Sequence, residues 1–356
     1  MTQELHIGRH TIGLGHPTYM IADIAANHDG DLERAKDLVF LCAEAGANAA
    51  KFQNFRAETI VSDYGFATMG GQQSHQSTWG KSVFEVYRDA SIPVHWARSL
   101  RETCAAAGID YFTAPYDLGL IAELSPYVCA WKLGSGDITW HDNIERLARD
   151  GKPLLIATGA AEFDEVRMAV DVARRHTGDI VLMQCNTNYT ASVENFHHIS
   201  LNVLKTYARE FPDLILGLSD HTPGHATVLG AVALGARAIE KHFTDDTERP
   251  GPDHKFSMDP PSWREMVLRT RELEAALGSE AKRVMDNEQE TVVLQRRAVR
   301  AAQPIKAGVT VRAEDLTVLR PCPRDALPPY RLRQVIGRIA RHDIPSGECV
   351  RLSDLL

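Results

Sequence analysis

Two lysines and two histidines draw attention because each stands at the end of a short run of core-type residues. Lys51 lies in Ala50-Lys51-Phe52-Gln53 and Lys132 in Trp131-Lys132-Leu133-Gly134-Ser135-Gly136. An ammonium beside apolar strand residues is expensive unless an anion compensates it. The glycines after Lys132 permit close backbone approach, so exposed N–H groups and the Ser135 hydroxyl can hold phosphate or carboxylate oxygens. A Schiff-base lysine is the rival chemistry. His221 follows Gly217-Leu218-Ser219-Asp220, and His242 lies in Ile239-Glu240-Lys241-His242-Phe243-Thr244. Two imidazoles at neighbouring strand ends can share one divalent ion, leaving positions open for water and a substrate carbonyl. The pair His197-His198 lacks that context and reads as a surface turn. Asp23 ends a buried-type run and enters Asn27-His28-Asp29-Gly30, which reads either as a binding and proton-transfer segment or as a plain turn.

These residues need a scaffold that brings distant strand ends together. Short β-type runs at 19–24, 49–52, 111–114, 130–133, 154–157, 180–184, 214–218 and 238–241 alternate with helix-type stretches such as 32–45 and 262–277. That alternation predicts a parallel sheet covered by helices, and eight strands suffice to close a (β/α)8 TIM barrel. Asp23, Lys51, Thr113, Lys132, Thr158, Asn186, His221 and His242 all fall at or just after strand ends, the face on which such barrels assemble sites. The pattern changes after Gly278. Residues 1–278 are expected to form the barrel, 279–290 a polar linker, and 291–356 a small second domain. Strand-like pieces at 298–302 and 309–311 and Pro-rich turns at 321–329 mark that domain.

Composition narrows the functional classes. The 356 residues carry a formal charge of −8, which provides no global basic field for nucleic acid or an anionic membrane. The six cysteines form no Cys-x-x-Cys pair, arguing against structural zinc and a disulfide framework. No apolar run spans a bilayer, no leader pattern opens the chain, and a cytoplasmic location is expected.

Taken in order, these segments resemble the bacterial N-acetylneuraminate synthase family, which includes the legionaminic and pseudaminic acid synthases. The likeness rests on the Asp23 segment, Lys51-Phe52-Gln53, Trp131 to Gly136, Gly217 to Thr222, Glu240 to Thr244, and Pro250-Gly251-Pro252-Asp253. It implies condensation of phosphoenolpyruvate with an N-acylated amino sugar to give a nonulosonic acid and phosphate. Lys51, Thr113, Lys132, Ser135, Thr158 and Ser219 would hold phosphoenolpyruvate, and His221 and His242 a divalent metal, usually Mn2+, with Mg2+ or Co2+ as alternatives. Gln53, Tyr189, Asp253 and Arg320 would meet the sugar, with Asp137 also binding substrate. The tail resembles the family's antifreeze-like (SAF) domain. The resemblance places Arg320 in a partner's site, implying a domain-exchanged homodimer.

Three positions depart from the family pattern. Asp23 replaces the usual Glu, Thr187 stands where Asn is expected, so that Asn186 or Asn188 would substitute, and Cys322 follows Arg320-Pro321 in place of Gly. A lysine-dependent aldolase, a sugar isomerase and a non-catalytic carbohydrate-binding protein are the competing classes.

Overall fold

Except at Gln53, every barrel strand is buried along its length, so each must be covered on both faces. The computed structural model describes residues 4–69, 76 and 79–356. Its barrel strands are β3 (Tyr19–Asp23), β4 (Ala49–Asn54), β5 (Asp110–Pro115), β6 (Trp131–Leu133), β7 (Leu154–Ala157), β8 (Ile180–Cys185), β9 (Ile215–Asp220) and β10 (Ala238–His242). They pair in parallel and in chain order, with β10 closing on β3. The barrel expected from the alternating runs is therefore present.

The helices that cover it start where local chemistry dictates. Helix Leu32–Glu44 begins at Asp31, whose carboxylate accepts from the N–H groups of Glu33 and Arg34, and buries Ala35, Leu38, Val39 and Cys42. Helix Pro260–Leu277 begins at Asp259 with proline in its first turn and buries Trp263, Met266 and Thr270. Among the described residues, no helix is long and apolar enough to cross a membrane.

A hairpin of β1 (Glu4–Ile7) and β2 (His10–Gly13) precedes the barrel. Two short strands containing His and Thr gave no clear sequence signal. The hairpin is tied to the start of β5 through Asp110, whose carboxylate accepts from Tyr19 Oη at 2.9 Å and lies 2.7 Å from His10 Nδ1. A Cβ on Gly8 would lie 2.1 Å from Asp110 Oδ1, so the close approach requires glycine there.

Residues 1–278 and 279–356 form separate compact units. In the second, β11 (Ala298–Ala301) pairs antiparallel with β12 (Leu316–Leu319) over a small core that includes Val299, Val311, Val335 and Val350. The stretch read as a strand at 309–311 instead makes only an isolated bridge, Thr310 to Ile339. The polar stretch after Gly278 leads into a helix, Gln289–Gln295, which crosses the expected boundary at 290.

Asp110→Ala is expected to lower unfolding stability by about 2–3 kcal/mol, because it orphans the buried Tyr19 hydroxyl and removes the partner of half-buried His10. Urea unfolding followed by circular dichroism measures this, and an unchanged midpoint would contradict the tethering role.

Candidate functional site

Strand alternation decides which side chains reach the barrel mouth. On β10, Glu240 and His242 share one face, while Lys241 takes the other and pairs with Asp220 at 2.5 Å. Parallel register aligns Glu240 with Ser219 on β9 and His242 with Asp23 on β3. Asp23 aligns in turn with Lys51 on β4. The inward set lines a cavity of about 340 Å³ that includes Asp23, Lys51, Gln53, Lys132, Ser135, Asp137, Tyr189, Ser219, His221, His242 and Asp253.

At the floor, one carboxylate gathers the cations. Glu240 Oε1 accepts from Lys132 Nζ at 3.0 Å, Lys51 Nζ at 3.2 Å and Ser219 Oγ at 3.1 Å. Lys51 also lies 2.7 Å from Asp23 Oδ2, which accepts from Gln53 Nε2 at 3.0 Å. Both lysines are 2% exposed. The anions that compensate them are therefore the protein's own. Burial alone would depress the Lys51 ammonium, but Asp23 and Glu240 outweigh it and raise its pKa above the ordinary value. Burial prevails at Lys132, where Glu240 opposes it and neighbouring Lys51 adds to the depression. Burial would raise the Glu240 carboxyl, yet Lys132 and Lys51 hold it below its usual range. Its second oxygen, Oε2, is buried without a partner. Glu240 was legible only as part of a histidine strand.

The two histidines face each other with ring centroids 5.3 Å apart. Tyr189 and Phe256 complete an aromatic enclosure, at 4.5 Å from His221 and 4.8 Å from His242 respectively. His221 Nδ1 is 3.1 Å from the Asn186 carbonyl, a contact that places the proton on Nδ1 and leaves Nε2 as the lone-pair nitrogen. Burial opposes protonation of His221, but Cys185 and Asp220 raise its pKa above the ordinary value. Burial lowers His242 to about 3, leaving it neutral at physiological pH. His242 Nε2 lies 3.4 Å from Asp23, and its Nδ1 is buried with no partner. An orphaned imidazole nitrogen beside a second imidazole fits an open two-histidine site for a divalent ion. Among the described residues no group of three or more His, Cys, Asp or Glu forms a closed metal cage. A closed structural site is thus not what these donors build.

Toward the rim, burial raises Asp137 and Asp253 each to about 6. Asp253 accepts from the Ala26 N–H at 3.0 Å, which joins its loop to the turn after β3. That turn does more than reverse the chain. Asn27 Nδ2 donates to the Phe243 carbonyl and Ser257 Oγ, both at 2.9 Å, while Asp29 lies 3.0 Å from His254 Nε2. Glycine is required at two points nearby. A Cβ on Gly134 would lie 2.4 Å from Tyr116 Oη, and one on Gly159 would lie 1.9 Å from Thr187 Oγ1.

Four expected residues of the barrel do not line the cavity. Thr113 is in register with outward-facing Phe52, and its hydroxyl bonds the Phe52 carbonyl and Asn54 Oδ1. Thr158 follows inward-facing Ala157, so alternation turns it outward. There its hydroxyl bonds the Met183 carbonyl and accepts from Tyr207. The Asn186 side chain donates to the His198 carbonyl, and Asn188 Oδ1 accepts from Thr190. Thr187, between them, is the residue that lines the cavity. Arg320 belongs to the second unit and is exposed, with Pro321 and Cys322 tethered by Arg300 and the Val293 carbonyl.

Comparison with known proteins agrees with this fold. The fold is a closed parallel barrel followed by a SAF domain, and it has a solved sialic acid synthetase among its structural neighbours. A Leptospira borgpetersenii N-acetylneuraminic acid synthetase superposes with a TM-score of 0.73 at 27% identity, covering 82% of this chain and 96% of that one. The NeuB family model matches residues 38–282 and the SAF domain model residues 296–356. The chain belongs to the NeuB family. It is 33% identical to the N,N'-diacetyllegionaminic acid synthase of Legionella pneumophila over 92% of each chain. It is 30% identical to the human N-acetylneuraminate-9-phosphate synthase, covering 94% of this chain and 91% of the relative.

Glu240→Ala should destabilise the ligand-free protein by about 3–5 kcal/mol, because two buried ammonium groups lose a shared counter-charge. Added inorganic phosphate should recover more melting temperature in this variant than in the wild type. Equal melting temperatures without phosphate would show that the carboxylate is not what stabilises the lysines.

Proposed function

We propose that this protein condenses phosphoenolpyruvate with the open-chain aldehyde of an N-acylated amino sugar, releasing phosphate and a nine-carbon 2-keto acid. The observation that carries this reading is the convergence of Lys51 and Lys132 on one buried oxygen within a cavity that also holds two facing histidines. Phosphoenolpyruvate bears a phosphate and a carboxylate, and two ammonium groups with the Ser135 and Ser219 hydroxyls suit those charges. Asp23 and Gln53 hold Lys51 in place. Asp137 and Asp253 supply acceptors for sugar hydroxyls, and Tyr189 offers an aromatic face.

C3 of the enol bonds to the aldehyde carbon, whose oxygen takes a proton and becomes a hydroxyl. Water adds at C2, and the C2–O bond to phosphate breaks as the 2-keto group forms. Inorganic phosphate leaves with the bridging oxygen. A divalent ion held by His221 and His242, Mn2+ by family resemblance, would supply Lewis-acid polarisation of the aldehyde carbonyl. The enclosing residues exclude bulk water from the enol, whose hydrolysis would waste the substrate.

A second reading has one observation in its favour. The lowered Lys132 pKa suits an imine-forming lysine. Borohydride in the presence of pyruvate should leave Lys132 unmodified under the condensation reading, whereas a reduced adduct would favour the aldolase.

The direct test incubates the protein with phosphoenolpyruvate, Mn2+ and N-acylated amino sugars, and identifies products by mass spectrometry. One phosphate should appear per nine-carbon acid, and exhaustive chelation should abolish turnover. Full activity after chelation would remove the metal from the account.

The partner reading follows the charges. Residues 279–356 hold 14 Lys and Arg against 10 Asp and Glu, whereas residues 1–278 hold 25 against 37. A basic second unit suits an acidic barrel of another copy, with Arg320 entering the partner's site. Inactive Arg320→Ala mixed with inactive Lys132→Ala should regain activity on subunit exchange, since one heterodimer site would carry neither lesion. Demonstrated exchange without recovery would place Arg320 outside the partner's site.

A further inference from the structure

The wall of the cavity above the lysines is built from a different kind of residue. Phe55 and Ile60 follow β4, and Val86, Tyr87 and Ala90 lie on helix Val83–Ala90, with Tyr116 beside them after β5. Phe55 packs against Tyr87 at 5.3 Å and against Tyr116 at 6.2 Å between centroids. Among the described lining residues the only lysines or arginines are Lys51 and Lys132, and both already serve Asp23 and Glu240. The undescribed residues 70–75, 77 and 78 contain neither residue type. Lys81 and Arg88, which flank the wall in sequence, both pair with Asp89. The charges facing the sugar end are instead carboxylates, Asp137 and Asp253.

We infer that the acceptor is an uncharged amino sugar whose end remote from the aldehyde is apolar, an acylamino deoxy sugar in place of a sugar phosphate. This inference rests on the condensation reading above. Three carbons from phosphoenolpyruvate precede the sugar's six in the product, so the sugar's C6 becomes C9. The 9-phosphate in the name of the human relative therefore corresponds to a phosphate on the sugar's C6. A phosphate dianion at that position needs guanidinium, ammonium or several N–H donors. Here the described wall is mostly aromatic and aliphatic carbon, with Gln76 and Trp79 as neutral polar members and no cation, beside two carboxylates, so like charge and desolvation both oppose it. A partner's Arg320 does not reverse the balance, because one guanidinium faces two carboxylates. An acetamido methyl or a C6 methyl, by contrast, gains from leaving water for the Phe55, Ile60 and Val86 surface. The ring hydroxyls retain Asp137 and Asp253 as acceptors.

The test compares kcat/KM at saturating phosphoenolpyruvate and Mn2+ for three acceptors: 2,4-diacetamido-2,4,6-trideoxymannose, N-acetylmannosamine and N-acetylmannosamine 6-phosphate. The phosphorylated sugar should be worse than N-acetylmannosamine by at least about 100-fold, given the cost of juxtaposed like charges. The trideoxy sugar should be better than N-acetylmannosamine by about 10-fold, the scale at which an apolar pocket distinguishes small groups. Val86→Lys, or Ala90→Lys where the first variant melts early, should raise the phosphorylated-to-neutral ratio by about 10-fold by adding the missing cation. A wild-type preference for the phosphorylated sugar would overturn the inference while leaving condensation intact. A preference for N-acetylmannosamine over the trideoxy sugar would overturn its apolar half. Failure of all three sugars to release phosphate would defeat the condensation reading and this inference with it.

Discussion

The arrangement depends on one buried carboxylate oxygen. Glu240 Oε1 receives hydrogen bonds from two lysines on different strands and from a serine on a third. An ammonium costs several kcal/mol to remove from water, so two of them within one barrel would not tolerate an uncompensated floor. The carboxylate resolves that cost without filling the cavity above. It also holds both lysine ammonium groups inward. On the proposed reading an anionic substrate would meet donors already desolvated and aimed, and its binding would reorganise few groups.

The barrel was legible because its signals are local and repeated. Each strand is a short buried run, and each run ends in a polar or ionisable residue that needs an address. The contents of the mouth were less legible, because alternation acts at single-residue resolution. Thr113 and Thr158 end apolar runs as Lys51 and Lys132 do, yet each is one position out of phase and bonds a backbone carbonyl outside the mouth. Glu240 escaped notice for a related reason. Between Ile239 and Lys241 it reads as a surface pattern, and only the register with Ser219 and the reach of both lysines reveal its place. The N-terminal hairpin had no comparable signal, since its anchor, Asp110, is about a hundred residues away.

Of the three departures from the family pattern, Asp23 alone lies in the charged floor. Asp23 still reaches Lys51 at 2.7 Å despite its shorter side chain, so the ion pair survives the change. Thr187 occupies the cavity wall beside Gly159, where its hydroxyl excludes any Cβ. Cys322 packs with Ala298, Ala326 and Cys349, turning toward the core of its own unit. On the proposed reading the floor would carry the condensation chemistry, while the wall and rim would contact the acceptor. That division follows from the energetics: a misplaced charge in a buried floor is costly, whereas an apolar wall tolerates substitution of similar volume.

The most direct measurement is a crystal structure of the protein with phosphoenolpyruvate and no sugar. The account predicts ligand oxygens within hydrogen-bonding distance of Lys51 Nζ and Lys132 Nζ, with C3 of the enol directed toward the space between His221, His242 and Asp253. A ligand bound away from both lysines, or one joined to Lys132 through a carbon–nitrogen bond, would contradict it.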